Sequence, residues 1–280
     1  MDNSRTELVR IVELALAEDL GEAGDITSQS VFFRGESGAA RVLTREACTV
    51  SGLAAAVEVC SQVDGDLAWL ALVEEGQAVP AGAEVARLEG KLLSILTAER
   101  TVLNFMARLS GVATLTRRFV DALQGLPARI AATRKTSPGM RFLEKRAVVH
   151  GGGETHRMGL YDAVLIKDNH IAAAGGVSEA VTTVRGALGE GTAIEVEVDT
   201  LQQLEQALPA GVDTVLLDNM EPDDVRRCVD MAAGRVVIEA SGGIGLENVR
   251  AYAEAGADII SVGAITNAAV AVDFSLEVEA

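Results

Sequence analysis

The chain has 280 residues, a net charge of −17, 49% hydrophobic residues and only 3% aromatic ones. The apolar content excludes a disordered chain, and the acidic balance argues against nucleic acid or an anionic membrane surface, which would have to be held against the protein's own field. The length fits one large domain or two modest ones, and 28 glycines with few aromatics fit an α/β protein packed with Ala, Val and Leu.

The opening MDNSRTELVR carries charge from its second residue and offers no apolar stretch long enough for a signal peptide or a membrane span, so a cytoplasmic location with no membrane partner is expected. Residues 5–19 place Leu8, Ile11, Val12, Ala15 and Leu16 at helical spacing and stop at a Gly/Asp cluster, which predicts a surface helix. From 38 to 90 the texture changes to short alternating runs separated by turns such as Val79-Pro80-Ala81-Gly82, with an Ala-rich helix at 53–62, the pattern of a small α+β domain. Residues 95–123 form a long amphipathic helical region joining two domains. Cys48, Cys60 and Cys228 are an odd, widely spaced set, which points to buried thiols rather than a disulfide framework or a zinc site.

After residue 128 the rhythm becomes strand, loop, helix, with apolar runs at 129–133, 163–167, 193–199, 214–218, 235–240 and 258–263. Short apolar strands alternating with helices imply a parallel sheet, and units of about twenty residues favour a closed or nearly closed α/β barrel over a doubly wound sheet. There is no G-x-G-x-x-G after the first strand and no G-x-x-x-x-G-K-[ST], so dinucleotide and phosphate-loop chemistry lack their apparatus.

Polar residues gather where barrel ligands bind, at the carboxyl ends of these strands: Thr133-Arg134-Lys135, Lys167-Asp168-Asn169-His170, Glu195 to Asp199, Asp218-Asn219, Glu239 to Gly243 and Ser261-Val262-Gly263. Between 134 and 167 seven basic residues face three acidic ones, a local +4 in an acidic chain. A solvated helix face accounts for Arg141, Lys145 and Arg146, whereas Arg134, Lys135, Arg157 and Lys167 lie at strand ends or beside Gly151-Gly152-Gly153. Forked guanidinium groups bind carboxylate or phosphate through paired hydrogen bonds, so this grouping predicts a substrate with more than one anionic group. Ser241-Gly242-Gly243 and Ser261-Val262-Gly263 follow successive strands and let backbone N–H groups approach a phosphate at a helix N-terminus. In IEVEVD the alternation puts Glu195, Glu197 and Asp199 on one face, with Asp218 ending the next strand. Such carboxylates suit sugar hydroxyls, a metal held through water, or acid and base work, and the adjacent phosphate loops favour a phosphorylated ribose. Glu195, deepest in its strand, is expected to pair with Lys167 or Arg134.

The run TRKTSPGMRFLEKRAVVHGGGETHRMGLYDAVLIKDNHI resembles the signature region of the quinolinate phosphoribosyltransferases, also called carboxylating nicotinate-nucleotide pyrophosphorylases. The resemblance continues through AEDLGEAGDITS, LLSILTAERTVLNFMARLSGVATLT, IEVEVDTLQQLEQAL, VLLDNM, EASGGIGLENVRAYAEAGADIISVGAIT and the closing DFSL, in family order. It implies an N-terminal α/β sandwich domain at 1–108, with 266–280 packing near it, and an incomplete, seven-stranded α/β barrel at 109–265. It implies a homodimer in which Arg100 of TAER reaches the partner's site. It places Arg134, Lys135, His156, Arg157 and Lys167 around the dicarboxylate, Glu197 and Asp218 on the ribose and magnesium diphosphate side, directly or through water, and Ser241, Gly242, Gly243 and Gly263 in the 5′-phosphate cradle. Lys135, Lys167, Glu197 and Asp218 are the implied catalytic set, and Mg²⁺ the implied cofactor.

The implied reaction joins quinolinate to phosphoribosyl pyrophosphate, giving nicotinate mononucleotide, carbon dioxide and pyrophosphate. Two departures from the family pattern stand out: Glu154-Thr155 before His156-Arg157, which places an acid near the dicarboxylate pocket, and Thr266-Asn267-Ala268, which removes a histidine from the phosphate side. Other readings are a paralogous phosphoribosyltransferase on a related ring acid, a barrel lyase using Lys167 as a Schiff-base amine, and a non-catalytic phosphosugar-binding regulator.

Overall fold

The computed structural model describes residues 3–32, 35–189 and 191–279. In chain order the first elements are α1 (Asn3–Leu20), α2 (Ile26–Val31), β1 (Ser37–Thr44), β2 (Cys48–Thr49), α3 (Leu53–Val63), β3 (Ala68–Ala71), β4 (Ala78–Val79), β5 (Glu84–Lys91) and α4 (Leu92–Ala122). Then follow β6 (Arg129–Ala132), α5 (Arg141–His150), β7 (Val164–Ile166), α6 (Asp168–Ala174), α7 (Val177–Leu188), β8 (Ile194–Val198) and α8 (Leu201–Ala207). The chain closes with β9 (Thr214–Asp218), α9 (Pro222–Ala232), β10 (Val237–Ser241), α10 (Val249–Glu254), β11 (Ile259–Val262), α11 (Ala264–Asn267) and β12 (Phe274–Glu279).

The chain divides into two compact units: residues 1–117, 136–152 and 266–280 form one, and residues 118–135 and 153–265 the other. The 108/109 boundary expected from sequence falls inside α4. In the first unit an antiparallel sheet runs in the order β12-β1-β5-β3, so the last strand pairs with the first, Ala39 opposite Glu279. Val42, Val85, Leu88 and Ile95 are wholly buried there. Gly111 lets the carboxyl-terminal segment cross α4 closely, because a Cβ there would meet the Val270 carbonyl oxygen at 2.1 Å. The segment around α5 differs from the solvated basic face expected of it. Lys145 is only 1% exposed, and the buried Glu144 accepts from Arg108 Nη2 at 2.7 Å and from Ser137 N–H at 3.0 Å. A helix that buries Leu143, Ala147 and Val148 carries the adjacent charged positions inward with them.

The second unit holds six parallel strands in the order β6-β11-β10-β9-β8-β7. A parallel bridge from Glu154 to Ala131 lies beside β6 and reduces the seventh barrel position to a single residue. Gly152 at φ 90° and His156 at φ 50° leave the extended conformation on either side of it, which keeps the bridge from growing. Among the central strands, β8, β9 and β10 are buried through their middles, the continuous apolar texture of parallel strands covered on both faces. Burial relaxes towards their carboxyl ends, at Glu197, Asp218 and Ser241. The site lies at that end.

Candidate active site

A cleft of about 560 Å³ opens at the carboxyl ends of the strands in the second unit. Its wall brings together Arg134 and Lys135 after β6, His156 and Arg157 after the Glu154 bridge, Lys167 after β7, Glu197 on β8, Asp218 on β9 and Ser241, Gly242 and Gly243 after β10. Two of the residues the resemblance named stand outside that lining. Arg100 is exposed on α4 in the first unit, and at the end of β11 the cleft is lined by Ser261 rather than Gly263.

One half of the cleft is cationic. Arg157 is 8% exposed, and burial, then the neighbouring Arg134 charge, lower its pKa from the usual arginine value. A buried guanidinium held beside a second one, at a cost to its charge, suits an anion, which relieves that cost when it binds. The other half is anionic. Glu197 receives the Lys167 ammonium in an ion pair across adjacent strand ends. Asp218 Oδ2 accepts from Asn219 Nδ2 at 2.7 Å. Asn219 itself is left-handed, with φ 55°, and its N–H donates to the Ser241 carbonyl at 2.8 Å.

Beyond these acids the loop after β10 holds two consecutive left-handed residues, Gly242 at φ 95° and Gly243 at φ 61°. A Cβ on Gly242 would meet Asn219 Oδ1 at 2.2 Å. The helix that follows, α10, begins only at Val249, so the loop's own backbone N–H groups, rather than a helix N-terminus, form the concavity suited to a phosphate.

Beneath the cationic half lies a buried cluster. His156 Nε2 is 3.1 Å from Glu239 and 3.3 Å from Glu195, while its Nδ1 accepts the Arg157 N–H at 2.8 Å. Glu195 therefore pairs with His156, not with Lys167 or Arg134 as expected: Lys167 is taken by Glu197, the next and shallower position on the same strand face. Hydrogen bonds to Glu195 and then Glu239 push His156 up to about 10, towards a charged ring. The backbone contact opposes this, since a proton on Nδ1 would face the Arg157 N–H head-on; we therefore read the ring as the Nε2–H tautomer. Burial raises the Glu195 pKa above the ordinary glutamate range. Burial also works against the charge of Glu239, but hydrogen bonds from His156 and Ser261 outweigh it and lower its pKa. The ligand atoms of this cluster lie within 4.8 Å of one another, a spacing open to a metal. The Nδ1 contact disfavours that use, because a ligating imidazole donates its other N–H instead of accepting there.

Glu154 does not place an acid in the pocket. Its carboxylate turns to Arg129, at 2.9 Å, outside the cleft lining. Asn267 is exposed at the end of α11. His170 accepts the Lys167 N–H at 2.9 Å and closes the first turn of α6. Asn219 and Glu239 line the cleft without a part of their own in the sequence reading, their signal being their position at strand ends; Ser261, expected beside a phosphate, lines it too. Leu165 and Leu216 also line it, and nothing in their local sequence separates them from core leucines.

An α/β barrel unit with clustered basic residues, paired carboxylates and a glycine loop suited to a phosphate at one set of strand ends fits an enzyme of phosphorylated-sugar transfer to an anionic acceptor. The family comparison gives the particular kind. Residues 25–110 match the N-terminal domain and residues 112–277 the C-terminal domain of quinolinate phosphoribosyl transferase, and the chain belongs to that family. It is 40% identical over 272 residues to a probable nicotinate-nucleotide pyrophosphorylase [carboxylating] of Bacillus subtilis, covering 97% of this chain and 93% of that one. It is 39% identical to quinolinate phosphoribosyltransferase [decarboxylating] 1b of Nicotiana tabacum, covering 98% of this chain and 83% of the relative. The solved nicotinate-nucleotide pyrophosphorylase of Francisella tularensis superposes with a TM-score of 0.94 at 43% identity, covering 98% of this chain and 96% of the other.

Proposed function

We infer that this chain transfers the phosphoribosyl group of phosphoribosyl pyrophosphate to quinolinate and decarboxylates the product to nicotinate mononucleotide, a step of NAD biosynthesis. The observation that carries this is the buried Arg157 beside Arg134, facing Glu197 and Asp218 across one cleft: a dicarboxylate clamp opposite a ribose and diphosphate site.

In this reading Arg134, Lys135, Arg157 and Lys167 hold the two carboxylates of quinolinate and aim its ring nitrogen at the ribose carbon. Gly242 and Gly243 hold the 5′-phosphate through backbone N–H groups. Glu197 and Asp218 offer hard oxygen donors of the kind magnesium takes, and would hold Mg²⁺ directly or through water and the donor diphosphate. When bound, that ion neutralises the charge that builds on the leaving pyrophosphate. The carbon–oxygen bond to pyrophosphate breaks with its electron pair, and the ring nitrogen captures the electron-poor ribosyl centre. The quaternised ring then accepts the pair left when the adjacent carboxylate departs as carbon dioxide. A proton at that carbon completes the product, and fixed cations around the ring stabilise the carbanion until it arrives.

We further propose a homodimer in which Arg100 acts in the partner's cleft, and work in the cytoplasm, in keeping with three cysteines that are all buried and unpaired. Among the described residues no helix is long and apolar enough to cross a membrane. A Schiff-base lyase is disfavoured, because an ammonium engaged by Glu197 has no lone pair to offer a carbonyl.

The test is nicotinate mononucleotide formation from quinolinate, phosphoribosyl pyrophosphate and Mg²⁺, expected with quinolinate and lost with chelator. Turnover of another ring acid in place of quinolinate would move the assignment to a paralogous transferase. For the dimer, Arg100→Ala and Arg157→Ala chains are unfolded, mixed equally and refolded. About half the dimers are then mixed, and each regains one intact site of two, so about a quarter of wild-type activity should return. No return, with mixed dimers demonstrated by differential tagging, would place Arg100 in its own chain's site or outside catalysis.

A further inference from the structure

Glu239 is 1% exposed in β10, and no step set out above uses it. A carboxylate at that depth persists where fixed donors replace its water. Here the donors are His156 Nε2, at 3.1 Å, the Ser261 hydroxyl and the Glu195 carboxyl. His156 has two features that its neighbours do not share. Its backbone is left-handed at φ 50°, a conformation that costs a non-glycine residue free energy the surroundings must offset, and its Nδ1 accepts the N–H of the next residue. That next residue is Arg157, the buried guanidinium of the cationic half.

We infer that Glu239 is a positioning residue of the dicarboxylate clamp: through the His156 ring it holds the backbone turn from which Arg157 enters the cleft. The inference rests on the reading of that half of the cleft as the quinolinate site. Glu195 approaches the same ring nitrogen at 3.3 Å, but its Oε1 finds no hydrogen-bond partner among the described residues. Glu239, closer to the ring at 3.1 Å and more deeply buried, gives it its anchor, and Glu195 completes the enclosure. Fixing the turn matters because an arginine clamp works by direction: a misplacement of about 1 Å at a binding group weakens catalysis as much as a hundredfold.

The test compares Glu239→Ala with Glu239→Gln, whose amide oxygen still accepts from His156. Two quantities are read: hydrogen exchange at the Arg157 amide in the substrate-free protein, and KM for quinolinate against KM for phosphoribosyl pyrophosphate. In Glu239→Ala the Arg157 amide should exchange about tenfold faster and the quinolinate KM rise about tenfold, with the donor KM within about twofold of wild type. Glu239→Gln should restore both. Unchanged Arg157 exchange in Glu239→Ala, an equal loss in Glu239→Gln, or a donor KM rising in step with that for quinolinate would overturn the inference. If Glu239→Ala does not fold, Glu239→Asp, one methylene shorter, is expected to shift both readings the same way. A wild-type chain that does not turn over quinolinate would refute the reading of the cleft instead, while the exchange comparison still decides the positioning of Arg157.

Discussion

Lys167 and Glu197 form an ion pair between the ends of adjacent strands, β7 and β8, at the seam of the cleft's cationic and anionic halves. In the proposed reading the ammonium meets the incoming dicarboxylate on one side, and Glu197 faces the ribose and metal on the other. Lys167→Met, which keeps the stem and removes the charge, should raise the quinolinate KM, whereas Glu197→Gln should leave that KM nearly unchanged and lower kcat by about a hundredfold, ~2.7 kcal/mol of transition-state stabilisation. Steady-state kinetics on both variants checks this. Borohydride with a carbonyl substrate should trap no adduct on Lys167.

The two halves should also separate in binding. Arg157→Ala removes a buried clamp and should weaken quinolinate binding on the order of a hundredfold, ~2.7 kcal/mol. Asp218→Asn should spare quinolinate binding and damage donor binding or kcat. Calorimetric titration of each substrate into each variant reads the pattern, and the reverse pattern would exchange the assignments of the two halves.

Much of this was legible because parallel strands buried on both faces need continuous apolar runs: the six runs after residue 128 coincide with β6 to β11, and their polar ends with the cleft. What stayed hidden depends on depth and on partners distant in sequence. Alternation put Glu195 and Glu197 on one face but could not tell that the deeper acid meets His156, 39 residues earlier, and the shallower one Lys167. Lys145 sits at helical spacing with Arg141, yet the burial of α5 takes it inside. Glu154 was read as a pocket acid because it neighbours His156; its strand-like bridge to Ala131 instead sends the side chain towards Arg129.

Gly242 should prove intolerant of a side chain. Its φ of 95° strains any L residue, and a Cβ there would meet Asn219 Oδ1 at 2.2 Å and Asn219 N at 2.8 Å. Asn219 in turn holds Asp218. Gly242→Ala should therefore raise the donor KM at least about tenfold, given a strain of about 1–3 kcal/mol, with quinolinate binding little altered. Steady-state kinetics at saturating quinolinate measures it, and a donor KM equal to wild type would remove the phosphate from this loop.

Stability should fall in mild acid through His150. Its Nδ1 lies 2.8 Å from Ser51 Oγ and 3.4 Å from Glu75, and burial, reinforced by Arg146 and opposed by Glu75, lowers its pKa below the ordinary 6.5. The unfolded chain then binds the proton more readily, so this contribution is fully present above pH 6.5 and is lost as pH falls from there through the lower folded-state value. Urea unfolding between pH 7.5 and 5 should show wild type losing stability faster than His150→Gln, by no more than ~1.4 kcal/mol per pH unit. Parallel curves would contradict it.

The most direct test follows carbon dioxide and pyrophosphate together in a single turnover of quinolinate labelled in the carboxylate next to the ring nitrogen. If one cleft performs transfer first and decarboxylation second, label should leave as carbon dioxide in equal amount to pyrophosphate, only when donor and Mg²⁺ are present, and never ahead of pyrophosphate. Label released without the donor, or pyrophosphate released in excess of carbon dioxide with the carboxylate retained in the product, would contradict that order.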